Sequence, residues 1–163
     1  MINHPVLWIL IKPLNNRLLD DPQSISVKTL KLAMHLCSKY CMEDVQTAIA
    51  NVMSRAGKPN TLDTAIERLA LCANYPSYFK DNVILALFAG ICAWEDHPTA
   101  KQLEPLQNRL DLIAHVMSGR VIFFSQTSLR GIALAGKAKD GSWSSDRTNA
   151  KVLEVIRKQP ESA

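Results

Sequence analysis

Apolar residues recur at steps of three and four along most of the chain, which is the spacing of one side of an α-helix. The clearest stripe follows Ser24 or Ser26, either of which can cap the first turn of a helix with its hydroxyl group. The pattern therefore predicts a helix that buries one apolar side. The apolar positions of this stripe are Val27, Leu30, Met34, Cys37 and Cys41.

Two further helices are bounded by typical start and stop signals. The first carries apolar residues from Val45 to Met53 and is predicted to stop at Gly57, with Pro59 just beyond. The second is predicted to begin at Asn60 or Thr61, and the sequence Asn-Tyr-Pro-Ser at 74–77 ends it. Its apolar positions are Leu62, Ala65, Ile66, Leu69 and Cys72.

The longest apolar run is Val83–Trp94, and it predicts a central helix that is packed on all sides. Its 12 residues are too few to cross a bilayer, which takes about 18 or more apolar residues. A fifth helix is predicted from His97-Pro98-Thr99 to Gly119. Pro105 is expected to kink this helix unless the helix starts there.

The pattern changes after Gly119. The short run Val121–Phe124 is compatible with either a strand or a helix. A weak helical pattern covers Ser128–Ala138, a loop is predicted at 139–145, and Arg147–Lys158 is a final amphipathic helix. We therefore predict an all-α fold, a compact single-domain bundle of six to eight helices around a buried central helix, with a possible short strand at 121–124.

The composition is that of a soluble globular protein, with 47% hydrophobic and 21% charged residues in a chain of 163. The apolar run Val6–Ile11 has no Lys or Arg before it and no small-residue cleavage site after it, so no secretion signal or membrane anchor is expected. No two of the four cysteines have the two-residue spacing of a zinc knuckle or a redox motif. We expect a cytoplasmic protein whose cysteines are reduced.

The formal net charge of +4 is concentrated near the C-terminus. Residues 1–118 hold equal numbers of basic and acidic residues, whereas 119–163 hold eight Lys and Arg against four Asp and Glu. We therefore divide the chain into a neutral helical core, 1–118, and a basic C-terminal segment, 119–163, packed on the same domain. A positive surface attracts acidic proteins and nucleic acids, although the same residues could simply keep a terminal helix in solution.

The strongest contact residues are expected around a loop that contains Trp143. An exposed Trp beside cations can anchor a partner protein or stack on a base. The alternative is that this side chain packs back on the core and closes the loop. Six residues are predicted to bind the partner: Arg130, Lys137, Lys139, Trp143, Arg147 and Lys151.

The segment Gly131–Ala138 (GIALAGKA) nearly matches a phosphate-binding loop. That motif needs Ser or Thr after its lysine, because the hydroxyl holds a magnesium ion, and here Ala138 follows Lys137. It also needs a strand before the first glycine and a helix after the lysine, whereas a turn sequence follows Lys137. No nucleotide site is therefore predicted.

Metal and catalytic sites have weaker support than a binding surface. His35 and Cys37 lie on different sides of their predicted helix, and each of the cysteines 37, 41, 72 and 92 fits a small buried hydrophobic residue, so no metal or other cofactor is predicted. The cluster Glu95-Asp96-His97 could move protons, but acidic residues before His-Pro-Thr are more typical of a solvated turn and a helix cap.

These patterns favour a non-catalytic binding or inhibitory module that docks on an acidic partner protein through its basic C-terminal face. An alternative is a nucleic-acid-binding regulator that uses the same face, although the loop at 139–145 is too long for a helix-turn-helix. A less favoured alternative is a small enzyme that uses Glu95, Asp96 and His97.

Overall fold

The structure is a computed structural model that describes residues 26–133 and 145–158, with side chains described at 26–125 and 150–158. This part of the chain is all-α, as predicted, and contains seven α-helices and two short 3-10 segments. The α-helices are α1 (Val27–Lys39), α2 (Glu43–Arg55), α3 (Leu62–Asn74), α4 (Asp81–Cys92), α5 (Ala100–Leu103), α6 (Leu110–Ala133) and α7 (Ser145–Arg157), and the 3-10 segments are Pro76–Tyr78 and Glu104–Leu106.

Three helices begin at the hydroxyl residues that the sequence indicates. Ser26 caps α1 by accepting a hydrogen bond from the backbone amide of Thr29, and Thr61 caps α3 in the same way through the amide of Thr64. Thr99 forms a reciprocal capping box with Gln102 at the start of α5. These caps satisfy amides that have no partner within their own helix, which fixes where each helix starts.

The end of α1 differs from the sequence prediction at one position. Cys41 is exposed and has a φ of 53°, so it does not continue the buried stripe. The amide of Met42 donates to the carbonyl of Cys37 at 2.8 Å, and the amide of Cys41 donates to Ser38 at 3.3 Å. This is the left-handed helix ending that most often uses glycine, and the chain turns into α2 there.

The bundle has a buried central helix, but that helix is α3 rather than the longest apolar run. Helix α3 packs against α1, α4, α5, α7 and both 3-10 segments. Helix α4 buries Ile84, Phe88 and Ile91 against its neighbours, whereas Ala86 and Ala89 on another side are exposed. The apolar run therefore does not pack on all sides, because several of its members are alanines that cover little area.

The predicted fifth helix is divided, and its second part continues past the predicted end. Pro105 lies in the 3-10 segment that separates α5 from α6. Gly119 lies inside α6, where a Cβ atom would be 2.6 Å from Cys92 Sγ and 2.9 Å from Phe88 Cζ. The glycine thus allows close packing of α6 on α4 and does not end a helix. Residues 121–124 are helical, which excludes the alternative of a strand there.

Arg120 is buried in α6, with only 2% of its surface exposed. Its Nη1 donates to the carbonyl of Ile91 at 2.9 Å and its Nη2 donates to the carbonyl of Asp96 at 2.8 Å. The carbonyl of Ile91 belongs to the last turn of α4, has no partner within the helix, and also accepts from the amide of Trp94 at 3.3 Å. Arg120 therefore caps α4. It is one of the eight basic residues at 119–163, and the structure shows that it does not contribute to a positive surface.

Two other buried arginines act in the same way. Arg68 of α3 donates to the carbonyl of Gly57, two residues past the end of α2, at 2.9 Å. Arg109 donates to the carbonyl of Val155, in the last turn of α7, and also pairs with Asp111 at 3.1 Å. A cation near the negative end of a helix is favourable, and here each cation comes from a different element.

Candidate functional site

The structure describes the side chain of one of the six predicted partner-binding residues. Lys151 is exposed on α7. Arg130 and Arg147 lie within the backbone of α6 and α7 respectively. Lys137, Lys139 and Trp143 lie outside the described residues, so their roles stay predictions.

Helix α7 separates a buried side from a charged side. Val152 and Ile156 are completely buried against the core, while Lys151 and Lys158 are exposed. Lys151 and Lys158 are seven positions apart, nearly two full helical turns, and Ile156 is about 140° around the helix from Lys151. Glu154 is exposed as well and reduces the positive charge of this side.

Helix α7 is held on the core by polar contacts, one of them between exposed side chains, in addition to apolar packing. Arg109 donates to the carbonyl of Val155, and Arg157 forms an ion pair with Asp81 at the start of α4. The exposed lysines are therefore presented by a helix whose position on the core is fixed.

A second candidate site is a groove that the sequence did not indicate. It lies between α2, α3, α4 and the loop Gly57–Pro59, and its volume is about 450 Å³. Its walls are largely apolar, and two cations, Lys58 and Arg68, line it together with no Asp or Glu. The principal apolar residues in the lining are Met53, Pro59, Ala65, Val83, Ala86, Leu87 and Trp94.

Arg68 is the unusual residue of this groove. It is 8% exposed, and its Nε is buried without a hydrogen-bond partner, while Nη1 donates to Gly57. No carboxylate pairs with it among the described side chains. Burial lowers the pKa of Arg68, with a smaller opposing effect from Cys72, because its charge has lost much of its hydration.

Gly90 leaves additional free space on the α4 wall of the groove. A Cβ atom built there would meet nothing within 4 Å, in contrast to the crowded position of Gly119.

One feature of the sequence could have indicated this groove. Arg68 is three positions after Ala65 and four before Cys72, which places a charged residue on the buried side of α3.

The cysteines are free thiols and do not form a metal site in the part of the chain that the structure describes. Cys37, Cys72 and Cys92 are buried, whereas Cys41 is exposed. Burial raises the pKa of the Cys37 thiol, and it raises the pKa values of Cys72 and Cys92 to about 12, so these groups stay protonated near neutral pH. Within residues 26–125 and 150–158, no three His, Cys, Asp or Glu side chains are placed to hold a metal ion.

The cluster at 95–97 lies on the connection between α4 and α5. Glu95, Asp96 and His97 are all exposed. Within this cluster, the backbone carbonyl of Asp96 accepts a hydrogen bond from the side chain of Arg120. This contact contributes to the capping of α4 and places no reactive group in a cavity.

Among the described helices, none is both long enough and apolar enough to cross a membrane. Comparison of the chain with protein-family models, curated proteins and solved structures found no match.

Proposed function

We propose that the chain is a non-catalytic binding or inhibitory module that docks on an acidic partner protein through the exposed side of α7. The observation that carries the proposal is the pair of exposed lysines, Lys151 within α7 and Lys158 directly after its last residue, on a helix that buries Val152 and Ile156 against the core. Arg147 lies one turn before Lys151 in the same helix. The four free cysteines fit a reducing cytoplasm as the place of action.

The attraction is mainly long-range and depends on salt. Exposed charge pairs contribute only about 0–1 kcal/mol each, so several contacts must act together. Complementary charge mainly raises the rate of association and selects among partners. An inhibitory effect would follow when the docked module covers a functional surface of its partner.

The test uses fluorescent poly-L-glutamate as a model acidic chain and random duplex DNA as the competing polyanion. Binding is measured at about 20 mM and about 200 mM salt, which changes the screening length severalfold. The double variant Lys151→Glu/Lys158→Glu is compared with Lys28→Glu/Lys31→Glu, which makes the same charge change at exposed residues of α1. Circular dichroism confirms that both variants stay folded.

The wild-type protein is expected to bind poly-glutamate at low salt, with a loss of about tenfold or more in the α7 variant and little change in the α1 variant. Equal losses in both variants would show that only net charge matters, which overturns the assignment to α7. Tighter binding of duplex DNA, with a steep loss of affinity as salt rises, would instead support a nucleic-acid-binding regulator.

A further inference from the structure

We infer that the groove between α2, α3 and α4 binds a small aliphatic carboxylic acid, with the carboxylate on Arg68 and the hydrocarbon chain against Met53, Leu87 and Trp94. This site is separate from the exposed side of α7, and the inference does not depend on the function proposed for that helix.

An anion is favoured because the groove contains cations without counter-charge. A guanidinium that is more than nine-tenths buried and has an unpartnered Nε is costly unless an acceptor completes its hydrogen bonds. Nη1 already donates to Gly57 and Nε has no partner, so the guanidinium keeps donor capacity that a ligand in the groove could use once the side chain adjusts to bring Nε within reach. A carboxylate matches a guanidinium in geometry as well as in charge, and Lys58 adds positive charge to the same lining.

The rest of the ligand is expected to be apolar and slender. The volume of about 450 Å³ lies within the range of small-molecule sites, roughly 300–1,000 Å³. On the α4 wall, Val83, Ala86, Leu87 and Gly90 offer no side-chain hydrogen-bond partner, and Asn82 is the polar residue of that wall. A peptide presents several amides, and those that face the apolar part of the wall would lose hydrogen bonds, so a free acid with a hydrocarbon chain fits this wall better than a peptide terminus does.

Gly90 supports this assignment independently. A glycine in the interior of a helix lowers helix stability relative to alanine, and no neighbouring atom requires its presence, because an added Cβ would have open space. The missing side chain instead widens the groove. A larger residue at this position is therefore expected to fill the groove without disturbing the core.

The experiment measures binding of decanoate to the full chain by calorimetry, below the concentration at which decanoate forms micelles. Decanol tests the need for the carboxylate, and a tripeptide with a C-terminal leucine tests the alternative source of a carboxylate. The variants are Arg68→Met, which removes the cation, and Gly90→Leu, which fills the groove, with Gly90→Ala as the matched control. Thermal unfolding of each variant, and of wild-type protein with and without decanoate, accompanies the titrations.

Decanoate is expected to bind the wild type and to raise its melting temperature. Decanol and Arg68→Met should each show a loss of affinity of about tenfold or more, because a charge-assisted pair is removed. Gly90→Leu should abolish binding, and Gly90→Ala should retain most of it. If Arg68→Met does not fold, Gly90→Leu and decanol still decide the question.

The inference would be overturned by an absence of decanoate binding to the wild type, by equal affinity for decanol and decanoate, or by unchanged affinity in Gly90→Leu. Tighter binding of the tripeptide would likewise overturn it in favour of a peptide terminus. Unchanged binding of poly-glutamate in Gly90→Leu would show that this groove and α7 are separate sites.

Discussion

The two helical glycines Gly90 and Gly119 predict opposite effects of the same substitution. Each lies inside a helix, so replacement by alanine favours the helical state by about 1 kcal/mol at either position. At Gly90 a Cβ would have no neighbour within 4 Å, so Gly90→Ala is expected to raise the free energy of unfolding by about that amount.

At Gly119 the new methyl group has no room. The Cβ would lie 2.6 Å from Cys92 Sγ and 2.9 Å from Phe88 Cζ, and both of those side chains are buried and cannot move into solvent. Overpacking of a core costs about 1–3 kcal/mol, which exceeds or cancels the helical gain. We expect Gly119→Ala to lower the free energy of unfolding by up to about 2 kcal/mol, and to lower the melting temperature by about 2–4 °C for each kcal/mol lost.

The assay is urea unfolding followed by circular dichroism, with both variants measured beside the wild type. Because the helical contribution of the alanine is common to both substitutions, the difference between the variants isolates the cost of the contacts at Gly119. Cys92→Ala in the Gly119→Ala background should restore part of the loss, and a double-mutant cycle measures that coupling. A Gly119→Ala protein as stable as Gly90→Ala would refute the close packing of α6 on α4.

Three further predictions follow from the buried charges and the thiols. Arg120→Met should lower the free energy of unfolding by about 2–4 kcal/mol in urea titrations, because two carbonyls lose a charged donor, and a loss below about 0.5 kcal/mol would contradict its capping role. Iodoacetamide should label only Cys41 in the native protein and all four cysteines after unfolding, as counted by mass spectrometry; rapid native labelling at a second cysteine would contradict the burial of the other three. Hydrogen bonds from Arg109 lower the pKa of Asp111 in the folded state, so their contribution is complete above the ordinary pKa of Asp, about 4, and is lost as pH falls through the lower folded value. Asp111→Asn should therefore be less stable than the wild type at pH 6 and lose less stability on acidification in urea titrations, and identical pH profiles would refute this linkage.

Helix starts could be predicted from the sequence because they depend on local chemistry. Ser26 and Thr61 cap the helices that follow them by bonding amides three residues ahead, and apolar spacing identified the buried sides of α1 and α3. These features need no knowledge of what the helices pack against.

Features that depend on distant neighbours could not be predicted in the same way. Gly119 resembled a helix end, but its role depends on Cys92 and Phe88 of another helix. Arg120 looked like a surface charge because nothing local shows that its partners are carbonyls 24 and 29 positions earlier in the chain. The groove around Arg68 could not be predicted for the same reason, because its lining residues come from three helices and a loop.

The three buried arginines also bear on how the bundle opens. In an isolated helix the last turn frays first, because its carbonyls have no partner within the helix. Here the final carbonyls of α4 and α7, and the loop carbonyl that follows α2, are each bound by a guanidinium from another element. Fraying of one end therefore requires an arginine from another part of the chain to leave its buried position. Hydrogen exchange near these ends is expected to report larger cooperative openings rather than local fraying.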